Sequence, residues 1–166
     1  MDAQQLHDYI IKPTLEYMRG NYDSKNARFL LLCTAAIESN CGYYIKQVGG
    51  PALGVWQMEP ATYEDIRINC DAISKSEYNS HISGLLPSEC YSMEDSGCDY
   101  LIQSPMYACA MARLKYSMDK EPLPDSDNFR AVYDYYKRIY NTPAGASTYE
   151  KFKQACIDNK IFDVKL

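Results

Sequence analysis

A stripe of small and apolar residues, Ala27, Leu31, Thr34 and Ala35, recurs at helical spacing and leads into a carboxylate, Glu38, on the same face. The chain continues Ser39-Asn40-Cys41-Gly42, and glycines return at 49, 50 and 54 around Pro51. Backbone so rich in glycine turns sharply and does not prolong a helix. The spacing therefore predicts a helix from about Ser24 to Ser39, stopped near Gly42, with Glu38 in its last turn and an irregular loop beyond. Burial and the negative end of the helix both oppose ionisation there, so the pKa of Glu38 is expected to rise. A carboxyl that keeps its proton near neutral pH can serve as a general acid.

The loop adds the second half of the chemistry. The single tryptophan, Trp56, lies beside Gln57 and Glu59, so a flat apolar surface, an amide and a second carboxylate arrive together. That set suits a sugar, whose ring face stacks on an aromatic and whose hydroxyl and acetamido groups pair with amides.

The rest reads as helical scaffold. Residues 2–19 carry Leu6, Tyr9, Ile10, Leu15 and Met18 on one side, with Pro13 bending or restarting the helix. Ala61 to Asn69 form a short helix, and Cys70 to Asp99 are polar and turn-rich, predicting an irregular lobe. Ser104 and Pro105 open a strong helix whose stripe is Tyr107, Met111, Leu114 and Met118. Its methionines are read as core filler rather than a partner surface. After the linker Glu121-Pro122-Leu123-Pro124, a helix starting at Asp125 to Asp127 carries Phe129, Val132, Tyr133, Tyr136 and Ile139 or Tyr140, and ends at Asn141-Thr142-Pro143-Ala144-Gly145. A last helix opens on the capping-box pattern Ser147-Thr148-Tyr149-Glu150 and runs to about Asn159.

At 166 residues the chain is read as one domain, 1–166, able to bury a core without staples. A net charge of -5 without a basic run argues against nucleic acid or anionic lipid as partner. No segment is apolar enough to insert in a membrane, and Met1-Asp2-Ala3-Gln4-Gln5 does not resemble a signal peptide, which predicts synthesis in the cytoplasm. Seven cysteines without a Cys-x-x-Cys pair, and only His7 and His81 beside them, predict reduced thiols, no metal site and no cofactor. A serine or cysteine hydrolase is disfavoured, since neither histidine has a nucleophile context and no Gly-x-Ser-x-Gly occurs.

Glu38-Ser39, then Gly50-x-x-x-Gly54-x-x-Gln57-x-x-Pro60-x-Thr62, and finally Tyr140-Asn141-Thr142-Pro143-Ala144-Gly145, resemble in order and separation the three motifs of the lysozyme-like lytic transglycosylases. The run from Gly49 to Thr62 is especially similar to small phage-encoded lysozyme-like proteins. The resemblance implies a mainly α, α+β lysozyme-like fold, a single two-lobed domain with a substrate cleft, and cleavage between N-acetylmuramic acid and N-acetylglucosamine in peptidoglycan. By the same resemblance Glu38 is the catalytic acid, Ser39 supports it, and Gln57, Tyr140 and Asn141 face the substrate; Tyr44 and Trp56 complete the expected binding set. The implied setting is a virion that crosses the bacterial wall and periplasm during genome entry, with release at host lysis equally compatible. Phage tail or internal virion proteins are then possible partners, and a non-catalytic docking domain is the competing reading.

Glu59 departs from the transglycosylase pattern, which usually has an apolar residue two places after the glutamine; goose-type lysozymes carry an acid there. Their additional acid is missing, because no Asp or Glu lies between Glu38 and Glu59. Two carboxylates can invert across a water at about 6.5–9.5 Å or retain at about 5–5.5 Å, whereas one acid suffices if the substrate's own 6-hydroxyl attacks and leaves an anhydro end. The preference is for hydrolysis, with Glu59 as second catalytic residue holding a water. The alternative for Glu59 is a solvated charge or cap at the next helix.

Overall fold

The computed structural model of the chain describes residues 1–74, 76–86, 97–141 and 145–166; these are mainly helical and contain no sheet, only the isolated bridges Lys46–Leu53 and Leu53–Met58. Helix α1 covers residues 3–18 as Ala3–Leu6 and Lys12–Met18, joined by a π turn, His7–Ile11. Pro13 accounts for that turn. It has no N–H to donate, and its ring would strike the carbonyl four residues back; a widened turn, in which the Lys12 N–H reaches the His7 carbonyl, relieves the clash. The buried row consequently steps from Leu6 to Ile11, Leu15 and Met18. Tyr9, expected on that row, is 72% exposed, and Ile10 is only half-buried.

Ser24 caps α2 (Lys25–Ser39), accepting from the Ala27 N–H at 3.1 Å. Every residue from Phe29 to Ala36 is buried, so this is a core helix apolar on all sides. Helices α1, α7 (Pro105–Ser117), α8 (Phe129–Tyr136) and α9 (Tyr149–Asp158) all pack on it. Its end is sharper than a single glycine would make it: Asn40, Cys41 and Gly42 are all left-handed, with φ of 53°, 52° and 76°. The Asn40 and Cys41 N–H groups close onto the Ala36 and Ala35 carbonyls, which satisfies the helix end in place of a further turn.

Pro60–Asn69 form α3, with Glu59 preceding Pro60 at its first position. The stretch expected to be irregular holds two short helices, α4 (Asp71–Ser74) and α5 (Ser76–Ser83), while residues 87–96 of it lie outside the described residues. Among the described residues there, Cys70, Ile73 and Ile82 are the buried apolar ones, too few to give a visible period. Tyr100–Gln103 (α6) leads to Ser104, whose hydroxyl caps α7 through the Tyr107 N–H. Met111 and Leu114 are fully buried, so the methionine stripe is core, as expected. Two caps differ from expectation: Asn128, not residues 125–127, caps α8, and Thr148 caps α9 through the Lys151 N–H, so the Ser147–Glu150 box does not form. Cys33, Cys41, Cys70, Cys109 and Cys156 are buried free thiols and Cys98 is half-buried; Cys90 lies outside the described residues. No described helix is long and apolar enough to cross a membrane.

Candidate functional site

Glu38 sits in the last turn of α2, where the buried stripe runs out into the lining of a cavity of about 300 Å³. Its Oε1 accepts a hydrogen bond at 2.6 Å from the Tyr136 hydroxyl on α8. Burial pushes its pKa up from 4.5 to about 7; the Tyr136 bond, which favours the charged form, opposes the rise, and the negative charge of Glu59 adds to it. Tyr136 is itself buried and its ionisation strongly disfavoured, so it remains an O–H donor throughout the ordinary pH range.

The loop reaches the same cavity through a chain of polar anchors. Ser39 Oγ donates to the Val55 carbonyl and accepts from the Gly42 N–H at 2.8 Å, tying the end of α2 to the loop. Gly54 has φ +75° and lies so close to the Leu101 carbonyl that a Cβ would collide with it. Gln57 follows with φ +44°, and its Nε2 donates to the Gly54 carbonyl at 2.8 Å and the Tyr44 carbonyl at 3.3 Å. Those two bonds hold the amide against the cavity wall.

Of the residues expected from sequence, Glu38, Gln57, Glu59, Tyr140 and Asn141 line this one cavity. Glu59 is exposed at the start of α3, and its side chain makes no cap bond, so the cap alternative does not hold. Tyr140 and Asn141 come from a second π turn, Lys137–Asn141, that continues α8. The Tyr140 hydroxyl donates to the Trp56 carbonyl at 2.8 Å, and its environment, burial first, raises its pKa well above the ordinary value. Three expected contacts need correction. Trp56 is 1% exposed, with its ring in the core and Nε1 donating to the Leu31 carbonyl at 3.0 Å, so it offers no face to a sugar. Ser39 is buried and fully engaged by backbone, as a brace for the helix end rather than a substrate contact. The Tyr44 ring is 48% exposed against Tyr43 and outside the cavity lining; only its carbonyl serves the site, through Gln57.

Tyr136, Gln47, Thr62 and Gly145 also belong to the site. Tyr136 lies four residues before Tyr140, on one helical face with it, and that spacing was the available signal. Among the described residues, no group of three His, Cys, Asp or Glu comes together to hold a metal.

The Tyr136–Glu38 bond makes a testable statement about pH. Tyr136→Phe removes the donor that favours the carboxylate, so Glu38 should hold its proton to higher pH than in the wild type. Activity that depends on the protonated form should then decline at higher pH in the variant, read from the alkaline limb of kcat/KM. An unmoved or acid-shifted limb would count against that role.

The arrangement is a half-buried proton donor in the wall of a polar cavity, with a second, exposed carboxylate, three amides and a tyrosine around it. No family model matches the chain, and neither a curated protein nor a solved structure shows significant similarity to it.

Proposed function

We propose that this protein is a muralytic enzyme of lysozyme type, cutting the glycan of peptidoglycan between N-acetylmuramic acid and N-acetylglucosamine. The observation that carries the reading is the carboxyl of Glu38, held near a pKa of about 7 in the wall of the cavity, with the second carboxylate Glu59 lining the same space. Glu38 protonates the leaving glycosidic oxygen. Glu59, exposed to solvent at the rim, holds the water that attacks the anomeric carbon, which favours hydrolysis over anhydro-forming transglycosylation. In this reading the cavity is part of a cleft between two lobes of a lysozyme-like, mainly helical domain; the expected β component has no counterpart among the described residues, which contain isolated bridges and no sheet. By resemblance the setting is a phage virion, where the enzyme opens the wall locally for genome entry.

Digestion of purified sacculi followed by mass spectrometry of the soluble products tests this. Muropeptides with ordinary reducing ends are the expected result. Anhydro ends would keep Glu38 as acid but remove the water-holding role from Glu59. Release of nothing at any pH between 5 and 8 would overturn the enzyme and leave a docking domain.

A further inference from the structure

Lys137 has no place in the motifs above, yet it sits at the edge of the cavity and controls one of its amides. Its Nζ donates to Asn141 Oδ1 at 2.7 Å and to the Gly145 carbonyl at 2.6 Å. Gly145 lies close to the same oxygen: a Cβ at 145 would overlap Asn141 Oδ1 and the Asn141 carbonyl. The orientation of an asparagine amide is set by its hydrogen-bond partners, and here both constraints act on the oxygen. Asn141 Oδ1 is thus engaged inside the protein, which orients the amide, and among the described residues its NH₂ group has no protein partner and is free to meet a ligand.

Gln57 is fixed in the opposite sense. Its Nε2 is committed to the Gly54 and Tyr44 carbonyls, and among the described residues its Oε1 has no protein partner. Both residues line the cavity that Glu38 opens on. Gln57 thus offers a fixed acceptor and Asn141 a fixed donor to the cavity. A secondary amide is the matching group, because its N–H donates to Gln57 and its C=O accepts from Asn141. An amine at the same position is donor only: it would satisfy Gln57 and leave the Asn141 NH₂ group facing like polarity.

We propose that Lys137 is a positioning residue that locks the amide of Asn141, so that the Gln57–Asn141 pair selects a 2-acetamido sugar over its de-N-acetylated form. This rests on the glycan reading above and names the substituent that the site reads.

The test compares N-acetylated sacculi with chemically de-N-acetylated sacculi for the wild type, Lys137→Met and Lys137→Arg. Binding of soluble N-acetylglucosamine and glucosamine oligomers is measured on the same three proteins by calorimetry. The wild type should prefer the acetylated form by about tenfold, the worth of one satisfied against one unsatisfied hydrogen bond. Lys137→Met, which keeps the chain length but not the donors, should bring the preference to within about twofold by losing affinity for the acetylated form. Lys137→Arg, which retains N–H donors, should restore most of it. Melting temperatures are taken for all three; should the methionine variant fail to fold, the arginine variant is compared with Asn141→Asp, whose side chain offers no NH₂ and should lose the preference. A wild type that cleaves and binds neither form refutes the glycan reading itself. A wild type that cleaves, with a preference that is absent or is unchanged in Lys137→Met, refutes the role of Lys137 alone.

Discussion

Glu38→Gln should clear purified sacculi about 10³-fold more slowly than the wild type, within the 10² to 10⁴ that a positioned general acid supplies, and should nonetheless be the more stable protein at pH 8. The loss follows from chemistry: glutamine matches the shape and can still accept the Tyr136 hydrogen bond, but it has no proton to give. The gain follows from linkage. The pKa of Glu38 is raised from 4.5 to about 7 by burial first, so the folded state holds this proton more tightly than the unfolded chain does. Below pH 4.5 both states are protonated and the site carries no penalty. Between 4.5 and 7 the unfolded chain gives up the proton while the folded one keeps it, and stability falls as pH rises; above 7 the full penalty of a shielded carboxylate is present. A shift from 4.5 to about 7 corresponds to about 3 kcal/mol, which the opening to the cavity reduces. The melting temperature of the wild type should therefore fall relative to the variant between pH 5 and pH 8, by up to roughly 10 °C for a domain of this size. Undiminished clearing by the variant would remove Glu38 from the reaction. Melting curves that stay parallel across that range would mean that the carboxyl is not shielded.

A destabilising acid at the end of the best-packed helix is the sort of local conflict that functional sites tolerate. It was also the most legible feature of the chain, because helical periodicity places residue 38 on the face of Leu31 and Ala35 with no tertiary information. The Ser104 cap was legible for a similar reason: a side-chain cap acts within three residues of itself. What escaped depends on contacts distant in sequence or on departures from the ordinary helical period. Tyr136 meets Glu38 across 98 positions, and its place in a stripe of aromatics made it look like core, which it is, but with a buried hydroxyl that donates to the acid. The two π turns shift the face by one residue, which is why Tyr9 was placed inward and why Lys137 was missed. Pro13 in mid-helix did announce a bend or restart there, though not its π form; nothing in the sequence before Lys137 announces the second.

Trp56 was misread because an aromatic in a glycine-rich loop looks exposed, and its substitution should show how far that is from the case. Gly54 lets the backbone double back against Leu101, and the indole is carried into the core beside α2 rather than out over the cavity. Trp56→Ala removes a fully buried side chain and the hydrogen bond to the Leu31 carbonyl. A loss of about 4 kcal/mol is expected from aromatic-to-alanine changes in cores, or roughly 10 °C in melting temperature. Activity should fall with it even at temperatures where the variant is folded, because the Trp56 carbonyl is the acceptor for Tyr140 and the next residue is Gln57. Trp56→Phe keeps an aromatic face and most of the volume, so a sugar platform would tolerate it; a buried anchor should lose about 1–3 kcal/mol through a smaller ring and an unpaired carbonyl. The sole tryptophan also reports on itself. Its fluorescence should be that of a buried indole and should stay nearly unchanged when glycan oligomers saturate the cavity. Strong quenching on titration, together with a phenylalanine variant as stable as the wild type, would return Trp56 to the binding surface and require the loop to open.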